Sequence, residues 1–207
     1  MAPAALPPGN NAIEPAPALV EGCKPCSLHL GNGLPAFTAD FELALSGDER
    51  LVKAIVVKRA DKPSWSQRLV VPDMTPVEPG SMFFFGVTDI DFDGHGDLLL
   101  ATERGVANTF ADYWLFSAQT AQFSRLGNFP LLKVDPEKKQ LSSFERGGAG
   151  GNLYASKQWA FEAGALRVVE SEQQDATADP NVFRRTVSRL QNGRLTVVQE
   201  RRVPAAK

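Results

Sequence analysis

Residues 82 to 103 read MFFFGVTDIDFDGHGDLLLATE. Two apolar runs of strand length flank an acidic stretch in which Asp89, Asp91, Asp93 and Asp97 alternate with other residues around Gly94. Carboxylates this close repel one another unless a cation gathers them. Calcium takes about six to eight oxygen ligands, and a D-x-D-x-D-G-x-x-D loop supplies them from its alternating side chains and one carbonyl. In this chain the ligands are Asp89, Asp91, Asp93, the His95 carbonyl and Asp97, with Gly94 where the loop must turn sharply. A helix-flanked calcium loop would need Glu three residues beyond Asp97. That place is held by Leu100, and the flanks MFFFGVT and LLLATE are rich in strand formers. The stretch is therefore read as β-turn-β, and the fold class as all-β. Magnesium, which dehydrates reluctantly, suits such a cage less well. A solvated acidic turn without metal is the plain alternative.

Outward from this element, short strand-like runs continue from Phe37 to the C-terminal end. Ser46-Gly47-Asp48, Gly164 and Asn192-Gly193 mark hairpin turns; Asn-Gly is the strongest such signal because both positions take positive φ. Pro72, Pro76 and Pro79 suggest a loop before the MFFFGV strand. A faint repeat lays FEAGALRVVESE over LQNGRLTVVQER at an offset of about 29 residues, bringing Gly164 onto Gly193 and Tyr154 onto Phe183. Hairpins repeated in this way suit blades or a meander packing face to face; the alternative is that any two β-hairpins look alike at this level. The expected architecture is propeller-like or sandwich-like, with one β domain over residues 30–205.

Residues 1–29 read as a flexible leader, Pro- and Ala-rich and without the apolar core of a signal peptide. A secretory signal or lipid anchor removed upstream is one explanation. Cys23 and Cys26 close a short CKPC motif. The glycines and Pro35 that follow disfavour the helix a redox pair needs, and a zinc site lacks a second ligand pair. A local disulfide is the first reading, with free thiols, redox or metal work behind it; the disulfide suits an oxidising compartment. The net charge of −2 in 207 residues sets up no field for nucleic acid or an anionic membrane. No run is long and apolar enough to cross a bilayer as a helix.

The stretch VTDIDFDGHGDLLLA, then DYWLFSAQTAQFSRLGNFP and the run ending GGAGGNLYASKQWAF, resembles bacterial envelope proteins with an FG-GAP-like calcium loop. These include periplasmic lysozyme inhibitors and immunity proteins that neutralise peptidoglycan hydrolases delivered by secretion systems. The resemblance spans roughly residues 83–175; SAQTAQF keeps Thr120 and Phe123 of the family turn but lacks its Asp-Pro and Gly. It implies that the segment carrying Gly147, Gly148, Gly150, Gly151 and Tyr154 is the loop pushed into a hydrolase cleft. Ser156 and Lys157 are secondary candidates. Chemistry supports this independently, since a glycine-rich loop exposes backbone donors and Tyr is a rigid anchor. The cleft it would enter holds two carboxyls, one of them a protonated acid. Against this, Tyr154 reads equally as a core aromatic at a strand start. Trp159, Phe161, Tyr113, Trp114 and Phe116 read as core.

No nucleophile elbow, phosphate loop or zinc-hydrolase motif occurs, and His29 and His95 are the only histidines. A hidden glycosidase carboxyl pair is the residual enzyme reading. Arg184, Arg185, Arg189, Arg194, Arg201 and Arg202 are expected to pair with Glu170, Glu172, Asp175 and Asp179 across strands. The expectation is a periplasmic, calcium-bearing inhibitor of a lysozyme-like peptidoglycan hydrolase, free or lipid-anchored. Its rival is a calcium-stabilised structural or adhesive envelope module.

Overall fold

Each turn signal joins two neighbouring antiparallel strands, so the chain folds as a succession of meanders. The computed structural model describes residues 26–47, 49–77, 85–104 and 108–205. Strands β1 (Cys26–Leu28), β2 (Phe37–Ser46), β3 (Glu49–Arg59) and β4 (Ser66–Val77) form the first sheet in chain order. A second sheet holds β5 (Phe85–Thr88), β6 (Asp97–Arg104), β7 (Thr109–Ser117) and β8 (Gln122–Pro130). The third runs β9 (Lys133–Asp135), β10 (Gln140–Arg146), β11 (Tyr154–Glu162), β12 (Ala165–Ala176), β13 (Val182–Gln191) and β14 (Arg194–Pro204). The fold is all-β and sandwich-like, and none of the sheets closes into a barrel among the described residues.

Side-chain alternation explains how the sheets stack. Leu98, Leu100, Trp114, Phe116, Phe85 and Val87 of the second sheet pack with Phe37, Val52, Ile55 and Val57 of the first. Leu99, Ala111 and Tyr113 project the other way and meet Leu141 and Trp159 of the third sheet, with Ile90 of the acidic loop beside them. The second sheet is thus buried on both faces. This is why LLLA reads as a continuous apolar run instead of an alternating one. Tyr113, Trp114, Phe116 and Trp159 are core, as expected, and the Trp159 indole N–H donates to Ser143 Oγ at 3.0 Å. Phe161 is only half-buried, near the tip of its hairpin.

Three expectations change. Cys26–Leu28, read as the end of the leader, pairs with Phe37–Ala39 as an edge strand. Cys26 is disulfide-bonded, while Cys23 lies outside the described residues. The proline segment is not all loop, for β4 runs through Pro72 and Pro76 to Val77. As the edge of its sheet it tolerates residues that donate no hydrogen bond. Pro79 and residues 82–84 lie outside the described residues. Finally, the repeat is real but edge to edge. The β11–β12 and β13–β14 hairpins are neighbours in one sheet, and both turn through two positive-φ residues, Ala163-Gly164 and Asn192-Gly193. Their bulges, at Gln158/Trp159 and Val187/Ser188, also fall 29 residues apart (187 − 158 = 29).

Candidate functional site

The acidic loop bridges β5 and β6 between two anchors. Ile90 is fully buried and Phe92 packs against the same apolar cluster, at a positive φ of 62°. Between them the loop folds on its own carboxylates. Gly94 N–H donates to Asp89 Oδ2 (3.0 Å), Asp93 N–H to Asp91 Oδ1 (3.2 Å) and His95 N–H to Asp93 Oδ1 (2.8 Å). Gly94 has the expected left-handed turn, with φ 89°.

At the far end Asp97 is completely buried. Its Oδ2 accepts from Ile90 N–H and its Oδ1 from Phe116 N–H, both at 2.8 Å, so one carboxyl ties the loop to β7. One oxygen each of Asp89, Asp91 and Asp97 lies within 4.8 Å of the others. Asp93 is outside this trio but beside it: its carboxyl lies against that of Asp91, and its Oδ1 is 3.1 Å from His95 Nδ1. Asp89 Oδ1 is buried without a hydrogen-bond partner. Burial raises the pKa of Asp89 and of Asp91, and the nearby carboxylates add to it. Burial pushes Asp97 up to about 8. The donor set fits a hard cation: oxygen-only, crowded, and carrying an orphaned acceptor. Asp89, Asp91 and Asp97 are the side chains that would hold it, and it would supply charge neutralisation and a tie between two strands.

A residue without chemistry of its own positions this loop. Gly96 N–H donates to Leu30 O at 2.7 Å where the segment after β1 crosses the loop. A Cβ at Gly96 would stand 2.3 Å from Val87 Cγ1 and 3.3 Å from Leu30 Cα. The HGD spacing marked Gly94 and passed over Gly96, because that crossing is invisible locally.

The glycine-rich segment connects β10 to β11 as an exposed turn. Its neck is closed by Gly147 N–H donating to Leu153 O at 2.7 Å. Ala149, Gly150 and Gly151 have φ of 55°, 64° and 90°, so the tip winds through the left-handed region. Ala149 is the strained member, and Ala149→Gly is expected to stabilise the protein by about 1 kcal/mol in urea unfolding. An unchanged midpoint would mean that the turn relaxes at no cost.

Tyr154 is not core. It stacks on Phe144, with ring centroids 5.5 Å apart and planes at 24°. Its hydroxyl donates to Glu172 Oε1 at 2.6 Å, and Arg185 donates to the same oxygen. Burial raises the Tyr154 pKa, and the bond to Glu172 adds to it. Burial opposes ionisation of Glu172, but the bonds from Arg185 and Tyr154 outweigh it and hold the carboxyl below its usual range. Strand alternation divides the two secondary candidates. Ser156 shares the Tyr154 face, whereas Lys157 points to the other, pairs with Glu145 at 2.8 Å and lies 5.9 Å from the Trp159 ring. Lys157 is therefore separated from the others by the period of a strand. Arg185, Arg189 and Arg184 pair with Glu172, Glu170 and Asp175, as expected for neighbouring strands. Phe144, exposed at 54%, is the member that sequence reasoning missed; its position directly after the polar Ser142–Ser143 pair carries no signal of its own.

No protein-family model and no curated protein matches the chain. Among solved structures it is similar to a Xanthomonas type IV secretion system related protein, at 19% identity and a TM-score of 0.60, covering 89% of this chain and 98% of that one. A protein from Lactobacillus plantarum aligns at 15% identity and a TM-score of 0.30, over 83% of this chain and 58% of that one. The first likeness extends over nearly the whole of both chains, and what it establishes is a shared all-β fold.

Proposed function

We propose that this chain is a calcium-stabilised envelope protein of the periplasm that inhibits a lysozyme-like peptidoglycan hydrolase. It is not itself an enzyme in this reading. The observation that carries the proposal is the exposed left-handed turn at Ala149–Gly151, closed at its neck and seated beside the Phe144–Tyr154 stack. A rigid turn enters a cleft at little entropic cost, and its glycines offer backbone donors to the cleft's acidic groups. Tyr154 and Ser156 are the side chains on the entering face; Lys157 serves the sheet instead. The fold shared with a secretion-system-related protein agrees with an envelope setting.

A second reading has one observation in its favour. The Tyr154 hydroxyl is already committed to Glu172, which suits a structural or adhesive module with no enzyme target. The two separate in a lysis assay, in which the protein is mixed with muramidase-type hydrolases and cell-wall turbidity is followed. Inhibition is expected, and Tyr154→Ala is expected to weaken it by more than tenfold, the effect of losing about 2 kcal/mol at a hot spot. Because Tyr154 also stacks on Phe144 and donates to Glu172, some loss of melting temperature is expected, and the assay is run well below the melting temperature of the variant. Absence of inhibition across such hydrolases would favour the module.

Calcium in this proposal holds the loop at Asp89, Asp91 and Asp97. With dissociation constants of roughly 10⁻⁴ to 10⁻³ M, about 1 mM calcium would add on the order of 0.4–1.4 kcal/mol. Asp91→Ala is expected to abolish the difference in melting between calcium and chelator. A difference that persists in this variant would place the ion elsewhere.

A further inference from the structure

Beside the inhibitory turn lies a surface trough that shares Ser156 and the Phe144 ring with the hydrolase reading and otherwise lies outside it. A cleft of about 400 Å³ is bordered by Lys133, Ser142, Phe144, Ser156 and Gln158. It adjoins a hollow of about 160 Å³ that shares Lys133, Ser142 and Gln158 and continues toward Asp135 and Lys138. The two form one elongated depression along β9, β10 and β11. The register places Ser142 opposite Gln158 and Phe144 opposite Ser156, so these four side chains leave the sheet on one face.

The chemistry of that face is specific. Ser142, Ser156, Gln158 and Lys133 make no side-chain hydrogen bond or ion pair among the described residues. Phe144 exposes over half of its surface while Tyr154 braces its ring from one side. Two hydroxyls, a carboxamide, an aromatic face and one cation are thus held together without internal partners. An apolar ligand finds too few walls here, since among the described residues Leu131 and Phe144 are the only large apolar ones bordering the cleft. A polyanion finds a single uncommitted ammonium, because Lys138 is bound to Asp135 at 3.0 Å. A bare metal ion finds no free carboxylate cluster among the described residues, of which Asp135 is the only acid that borders either hollow.

We propose that this trough binds a short acidic saccharide. A sugar ring carries hydroxyls around its rim and a weakly positive C–H face, and the negative face of an aromatic ring complements the latter. One ring rests on Phe144, with its hydroxyls on Ser156 and Gln158. The next extends past Ser142, where Lys133 meets a carboxylate. The cleft's volume falls within the range of small-ligand sites. Polar contacts that water can replace make the binding weak.

The test uses the whole protein alone, so its outcome is independent of whether any hydrolase is inhibited. Backbone amide spectra are recorded while chitobiose, or the disaccharide of N-acetylglucosamine and N-acetylmuramic acid, is added up to about 10 mM, where a weak site with a millimolar dissociation constant saturates. Both sugars are expected to shift amides of residues 142–144 and 156–158. The carboxylate-bearing disaccharide is expected to bind about five- to tenfold tighter, as one charge-assisted contact warrants. Lys133→Ala should bring the ratio of the two affinities close to one. Phe144→Ala should weaken both sugars about tenfold, and since the ring is exposed the variant's unchanged melting confirms that folding is intact. Phe144→Tyr should restore binding. No shifts with either sugar, shifts elsewhere on the surface, or affinities indifferent to Phe144→Ala would overturn the assignment, and the first of these would leave the trough to a protein partner.

Discussion

Asp97→Ala is expected to cost about 3–5 kcal/mol of folding stability, measured by urea unfolding in chelator. The Asp97 carboxyl is fully buried and is the acceptor for two buried amides, Ile90 N–H and Phe116 N–H. Each amide left without a partner forfeits roughly 1–3 kcal/mol, and the vacated space adds a further penalty. Asp97→Asn supplies one acceptor and turns an N–H toward the other amide, so it should fall between parent and alanine variant. The pH dependence follows from the same burial. Without a cation, the folded-state pKa of about 8 lies above the unfolded value near 3.9. The protonated form is then the one the fold favours. The contribution of Asp97 is complete below about pH 4 and is lost as pH rises toward 8. Calcium favours the ionised carboxyl and should reverse this trend. Other carboxylates, including Glu172 and Asp135, are held low by their partners and act in the opposite direction. The clean measurement is therefore the difference between parent and Asp97→Ala across pH 4–8, with chelator and with calcium. A chelator difference that grows with pH would contradict the account.

Gly96→Ala is the second large effect, expected at about 3 kcal/mol. The added methyl would overlap Val87 Cγ1 and press on the backbone at Leu30, with His29 O 3.5 Å away. Val87 is 5% exposed and packed into the first apolar cluster, so it cannot turn aside freely. Leu30 cannot recede without stretching its hydrogen bond to Gly96. Overpacking a tight site costs about 1–3 kcal/mol, and this one sits at the upper end because backbone closes one side. Val87→Ala in the same chain should recover part of the loss by vacating the nearest contact. If Gly96→Ala alone unfolds at the parent's urea concentration, the crossing of the Leu30 segment is pliant and does not brace the loop.

The two sites differ in how much of them is legible along the chain. Aspartate spacing around Gly94 identifies a loop that folds on its own carboxylates, because each Asx contact spans only two to five residues. The same spacing counts Asp93 and Asp97 alike with the ligands; Asp93 lies against Asp91 and also reaches His95, whereas the close trio is Asp89, Asp91 and Asp97. The difference arises from contacts between distant parts of the chain, for Asp97 is held by Phe116 on another strand. At the second site the glycines announce a turn with unusual dihedrals. Alternation alone would have separated Lys157 from Tyr154 and Ser156, since the period of a strand is two. Phe144 and the polar trough have no local mark, and emerge only when β10 and β11 lie in register.

Turn residues, apolar runs and aspartate spacing by themselves determined an all-β chain, its hairpins and its acidic β-turn-β element, because each depends on dihedral preferences or repulsions acting over a few residues. The tertiary structure alone decided that the second sheet is buried on both faces, that Leu30 locks over Gly96 and that Tyr154 stacks outward on Phe144. Those outcomes depend on which surfaces meet after the chain closes loops tens of residues long, and short-range chemistry does not encode that choice at any single position.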